Sequence, residues 1–317
     1  MNMPVTEMRQ CATDRARACF LRACELDVDV RKPGNVSWAS AGHGMTAEHF
    51  LASAKAVAGP LFERGASVGE RIEASVEATW TVAGCNTNLG IVLLCAPIAR
   101  AVELRPDATA PADVREAVEF VLGELDLSDA EAAFRAIARA RPGGLANAPE
   151  QDVRHPPSVD LRAAMALAAH RDSIARQYRD GYDDLFELGV PTLGTRFSLM
   201  AASVSGAPDA GTVAAVQRLY LALLSSFPDS HIVRIHGETV AHIVMTAAQG
   251  WRVRQRCHGG LDADPEFAAW DASLKADRIN PGTTADLTVA ALLIAGLTGS
   301  SRSSAAPAGP GGTDRDT

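Results

Sequence analysis

The chain has 317 residues, is 47% hydrophobic and 21% charged, and carries a formal charge of −8. Alanine is abundant and aromatics supply only 5%, which excludes a β-sandwich or barrel, because strands want β-branched and aromatic residues whereas alanine is the best helix former. A net acidic chain without a basic block also lacks the footprint of a nucleic-acid binder, and its longest apolar runs, 91–99 and 289–297, are about half the length that spans a bilayer.

The N-terminus shows no continuous apolar stretch followed by a cleavage pattern. The six cysteines form no CxxC pair and no zinc-type cluster, so a reduced, cytoplasmic protein is expected. Apolar residues at three- and four-residue spacing (Ala12, Ala16, Cys19, Phe20, Ala23) predict a first helix over 11–26. The glycine-rich segment KPGNVSWASAGHGM (32–45) follows, and Thr46 is placed to cap a helix carrying Phe50, Leu51, Ala54 and Val57 that ends at Gly59-Pro60. Ser67 with Glu70 reads as a capping box for a third helix, striped by Ile72, Val76 and Trp80 and ending near Gly84. After GCNTNLG (84–90) a helix runs over 91–103, Pro111 opens another, and Ser128 with Glu131 caps the next. Residues 140–157 form a long irregular loop, a kind of segment that is often functional. Helices follow over 159–188, 210–227, 231–256, 264–276 and 282–297. The expectation is an all-α, single compact domain of about ten helices over 1–298, then a small, polar, Pro/Gly-rich tail over 299–317 that is disordered.

Four irregular segments concentrate chemistry between these apolar helices. In the first, Gly34, Gly42 and Gly44 let backbone approach a ligand, with Lys32 and His43 available to phosphate. In GCNTNLG, Asn86, Thr87 and Asn88 sit at a junction of two apolar helices, where amides must satisfy helix ends or bind something. In FPDSHIVRIHG (227–237), His231, Arg234 and His236 fall in the first turns of a helix, against its macrodipole unless an anion or carboxylate is near. In NPGTTADL (280–287), an Asn cap and a proline precede the amides of Gly282, Thr283 and Thr284, with Asp286 one turn on, a make-up that suits phosphate or metal-phosphate. Two acidic pairs, Glu73/Glu77 and Asp183/Asp184, read most simply as solvated faces. GxGxxG, P-loop, HExxH and GxSxG patterns are absent.

Taken together and in this order, the segments resemble the triphosphoribosyl-dephospho-CoA synthase family, over roughly 24–297. PGTTADL is similar to the family's PGGSADL, and GCNTNLG to its GVNTHKG. The glycine-rich segment followed by Phe50 and Ser53, and Asp229-Ser230-His231, complete the match. The resemblance implies an all-helical fold and transfer of the 5-triphosphoribosyl group of ATP to a hydroxyl of dephospho-CoA with release of adenine. It implies Mg²⁺, with Asp286, Asp229 and Glu77 as catalytic residues and metal ligands. Lys32, Asn35, His43, Asn86, Thr87, Asn88, Ser230, Arg234, Gly282, Thr283 and Thr284 are then expected to bind ATP and its phosphates. Partners are ATP and dephospho-CoA or another small acceptor, with a homodimer open and neither nucleic acid nor membrane.

The chain departs from the family pattern where Asn88 and Leu89 replace a His-Lys pair and Gly44 replaces an acidic residue. Ser75 also stands where a glutamate is usual, which moves that role to Glu77. These departures leave room for a second acceptor, a precursor in tetrahydromethanopterin-type one-carbon cofactor biosynthesis. Two further alternatives are a non-catalytic nucleotide-binding helical protein and metal-dependent phosphohydrolysis.

Overall fold

The two apolar runs that are too short for a membrane form the centre of the protein. In the computed structural model, which describes residues 5–143, 150–200 and 206–299, they lie in α4 (Leu89–Leu104) and α14 (Gly282–Thr298). Neither helix has a polar face: Val92, Leu94 and Ile98 on one, and Val289, Leu292, Leu293 and Ile294 on the other, are fully buried. A helix apolar all round belongs inside a core. The two pack on each other, with α1 (Val5–Asp29) and α10 (Ala210–Leu224) against α14, and α3 (Val68–Ala83) and α5 (Pro111–Gly123) against α4.

Around this pair, α2 (Ala47–Val57) and α6 (Leu127–Ala140) flank α3. From α6 the packing passes to α7 (Leu161–Ala168) and then to α8 (Ser173–Asp180), which returns to α4 and α14. A short α9 (Val190–Leu193) leads to α10, and α11 (Ser230–His236), α12 (Glu238–His258) and α13 (Pro265–Ala276) complete the order. A smaller core of Tyr220, Ile232, Val244 and Phe267 sits under these later helices.

The described residues hold fourteen α-helices and no strand, so the all-α expectation stands and the count of about ten is too low. Two long expected helices are broken. The stretch 159–188 stops after α7, restarts where Asp172 caps α8 by accepting from Ile174 N (2.9 Å) and Ala175 N (3.1 Å), and stops again at left-handed Gly181 before a π turn over Asp184–Gly189. The stretch 231–256 is interrupted at Gly237, whose φ of +85° ends α11. The box on α3 forms as expected: Glu70 N donates to Ser67 Oγ (3.2 Å) and Ser67 N to Glu70 Oε2 (2.7 Å). The cap of α6, however, is Asp126, which accepts from Asp129 N at 3.0 Å, and not Ser128. The tail expected to be disordered lies, beyond Gly299, outside the described residues.

Pro97 inside α4 shows how the helices lock. Proline has no N–H to give the carbonyl four residues back. That carbonyl, Leu93 O, instead accepts the Tyr178 hydroxyl at 2.6 Å, and Leu94 O accepts Tyr182 at 2.8 Å. Both tyrosines are fully buried. Pro97 thus provides the acceptor that anchors α8 and the turn after it to the central helix.

Candidate active site

A cavity of about 470 Å³ opens where the end of α1, the glycine-rich segment, the α3–α4 junction, the start of α8, α11 and the first turns of α14 converge. Asp286 stands in its wall, and the reason lies on the facing helix. A Cβ on Gly90 would fall 2.0 Å from Asp286 Oδ2 and 2.8 Å from Ile174 Cδ1, so the last glycine of GCNTNLG clears the space the carboxyl fills. Asp286 is enclosed by protein and keeps its remaining accessible surface on the cavity side. Burial pushes its carboxyl well above the ordinary range, the charges of Asp27, Asp229 and Asp172 push the same way, and only Arg234 opposes them.

Asp229 organises the site from behind. Its Oδ1 accepts from His231 N (2.9 Å) and Ile232 N (3.1 Å), capping α11, while its Oδ2 accepts from Thr284 N and Thr284 Oγ1, both at 2.7 Å, capping α14. One buried carboxylate therefore serves two helix N-termini, and with four donors engaged it lies outside the cavity wall. Asn280 does not cap α14; Pro281 precedes the first helical residue, Gly282. Ser230 also works structurally, accepting from Ser173 N at 2.8 Å and tying α11 to α8.

The caps fix α11 so that His231 and Arg234 face the cavity. Arg234 Nη1 pairs with Asp172 Oδ2 at 2.7 Å, while its Nε has no partner. His231 lies over the start of α14, and a Cβ on Gly282 would sit 3.6 Å from its Cγ. Burial, followed by the positive neighbourhood of Arg234, His43 and His236, lowers its pKa to about 4, leaving the ring neutral at neutral pH. Across the cavity, Asp27 at the end of α1 is buried and ion-paired to Lys32, with Nζ 3.0 Å from Oδ1. Burial nonetheless raises its pKa, against the pull of Lys32.

Of the residues singled out from sequence, Asp286, Asn35, Asn86, Thr87, Asn88, Arg234, Gly282 and Thr283 meet at this cavity. Asn35 Nδ2 donates to Asn280 Oδ1 (3.1 Å), and its buried Oδ1 has no partner. Asn86 Oδ1 accepts from Leu89 N (3.1 Å), Thr87 donates to Ser53 Oγ (2.7 Å), and Asn88 Oδ1 accepts from Thr79 (2.8 Å). Lys32, His43, Ser230, Thr284, Asp229 and Glu77 are not in the wall. Lys32 is consumed by Asp27, and His43 Nε2 bonds Gly34 O at 2.8 Å, bracing the glycine-rich segment. Glu77 lies on an exposed face of α3, 3.3 Å from Arg139. The expected trio of Asp286, Asp229 and Glu77 is thus not assembled, and among the described residues no three His, Cys, Asp or Glu are grouped to hold a metal by themselves.

Comparison with known families gives a match to the model described as CitG: ATP:dephospho-CoA triphosphoribosyl transferase, over residues 13–304. The chain belongs to this family. It is accordingly a pentosyltransferase. A solved structure from Archaeoglobus fulgidus, assigned as a triphosphoribosyl-dephospho-CoA synthase, aligns with a TM-score of 0.61 and 26% identity over 80% of this chain and 98% of that one. Comparison with curated proteins gave no match.

In this CitG-family chain, the segments that carried the resemblance fall into two roles. Gly90, Gly282 and Asp286 shape the cavity, whereas Asp229 and Ser230 build the frame behind it. Sequence reasoning passed over Asp27, Arg171 and Asp172, all of which reach the cavity, and gave His231 no role there. Asp172 had a readable signal, an Asp directly before Ser173-Ile174 as a helix cap. Asp27 had a weaker one, a charge set between Leu26 and Val28, both fully buried.

Proposed function

We propose that this cavity transfers the 5-triphosphoribosyl group of ATP to a hydroxyl of dephospho-CoA and releases adenine. The observation that carries the reading is the Asp286 carboxyl, seated by Gly90 in the cavity wall, beside Arg234 and His231 at the N-terminus of α14. In this reaction the acceptor oxygen bonds to C1′ of the ribose, the C1′–N9 bond breaks with its electron pair going to adenine, and one proton leaves the hydroxyl while one joins the purine. By analogy with glycoside cleavage, the transition state is oxocarbenium-like.

The residues fit Mg²⁺. Asp286 offers a hard oxygen donor whose ionised form is disfavoured until a cation arrives, Asp27 adds a second carboxyl beside Lys32, and Asn35 Oδ1 is a buried acceptor without a partner. Mg²⁺ is commonly held by one or two carboxylates together with substrate phosphates. When bound, it would neutralise triphosphate charge at the reacting centre. Arg234, through its unpartnered Nε, and the Thr283 amide at the start of α14 then hold the phosphates that Lys32 cannot reach. His231, neutral and desolvated, accepts the hydroxyl proton at a ring nitrogen, because the triphosphate's negative charge favours its protonated form.

The test is to incubate the protein with ATP, Mg²⁺ and dephospho-CoA and to follow adenine by chromatography and product by mass. Adenine with a new mass equal to dephospho-CoA plus the triphosphoribosyl group supports the reading; inorganic phosphate without adenine would refute it. One observation favours a second acceptor: Leu89, at a family His-Lys position, is buried in the cavity wall and puts an apolar side chain there in place of a basic one. Adenine formed only with a one-carbon cofactor precursor would select that alternative.

A further inference from the structure

The cavity has two unlike sides. Around Asp286, Asp27, His231 and Arg234 it is polar, whereas the wall supplied by α6 and α7 presents Phe134, Ile137, Ala164, Met165 and Ala168. None of these five side chains carries a proton donor. Through α7 and then α8 this wall is one layer removed from α14 and the reacting carboxyl. At the same cavity, after α7, Arg171 is exposed and has no carboxylate partner among the described residues.

We propose that the α6–α7 side is the acceptor subsite: it takes the uncharged ring of a nucleoside-type hydroxyl acceptor, whose phosphates point outward to Arg171. The assignment rests on reading the cavity as a triphosphoribosyl transferase site, and the chemistry of that reaction divides the cavity. A triphosphate loses too much hydration against an apolar wall to settle there. The departing adenine gains a proton as the C1′–N9 bond breaks, so it must lie where N–H donors are, on the side of the amides of Asn86 and Asn88. The apolar side serves neither the triphosphate nor the leaving base, and an uncharged ring is the part of the remaining substrate that gains from it. The acceptor hydroxyl then projects toward C1′ from the face opposite the leaving group. Its phosphates meet Arg171, a cation without a carboxylate partner among the described residues.

Ala168→Phe fills the subsite from a partly exposed position on α7, and Met165→Ala hollows it. Isothermal titration of the full chain with dephospho-CoA and, separately, with ATP and Mg²⁺ reads the two sides independently of turnover. For A168F, dephospho-CoA affinity is expected to fall at least tenfold with ATP affinity within twofold of wild type; for M165A, a several-fold fall with the same ATP control. Retained ATP binding reports that each variant is folded, and if A168F fails to fold, M165A decides. Loss of ATP affinity equal to or greater than that of dephospho-CoA, or unchanged dephospho-CoA affinity, overturns the assignment. So does a wild-type protein that does not bind dephospho-CoA. Binding of both ligands with selective loss in A168F, but without adenine release by wild type, would refute the proposed reaction and leave the subsite standing.

Discussion

Gly90 and Asp286 form a pair that neither segment discloses alone. A glycine in an apolar helix costs about 1 kcal/mol relative to alanine, and here its missing side chain is the space for a carboxylate from a helix almost two hundred residues later. Gly90→Ala is therefore expected to leave helical circular dichroism intact and to lower turnover at least 100-fold, as measured by adenine release, because the carboxyl must move. Glu77 behaves oppositely. It carries an exposed ion pair with Arg139, of a kind worth about 0–1 kcal/mol, so Glu77→Ala should change adenine release by less than twofold. PGTTADL pointed to Asp286 because an acid one turn into a helix N-terminus is a local pattern. It could not show that Lys32, the basic residue that opens the glycine-rich segment, is neutralised by Asp27 inside the core.

At the scale of elements, caps written within a few residues are legible and caps supplied from elsewhere are not. Ser67-Glu70 and Gly84 bound α3 as their local chemistry dictates. The N-terminus of α14 looks self-sufficient in sequence, with Asn280 in the capping position, yet its donor is satisfied by Asp229 from α11. That contact spans 55 residues, and no periodicity or spacing announces it. Helix breaks escaped for a related reason: Gly237 and Gly181 sit inside apolar periodic stretches, and only their positive φ ends the helices. Removing one cap typically costs about 0.5–2 kcal/mol. Asp229→Ala removes two and should destabilise the fold by about 2–3 kcal/mol in urea unfolding, more than Asp286→Ala does. Similar losses for both variants would mean that Asp229 is no frame residue.

For the whole molecule, the apolar helices that composition alone foretold act as scaffold, and three enclosed carboxyls lie where ionisation costs stability. Burial raises the pKa of Asp27, Asp229 and Asp286. Between the unfolded value of about 3.9 and the raised folded values, the native state holds more protons than the unfolded chain, so this contribution to stability is lost as pH rises. Asp286→Asn removes one such group: without ligands its Tm should exceed that of wild type at pH 7–8, with the gap closing toward pH 4. A gap that widens on acidification would contradict the raised pKa. The most direct measurement of the central claim is adenine release in a single turnover, with ATP, Mg²⁺ and dephospho-CoA, comparing wild type with Asp286→Asn. Wild type should release adenine in step with acceptor consumed, and the variant should fall at least 100-fold while remaining folded. Adenine release by Asp286→Asn at the wild-type rate would contradict it.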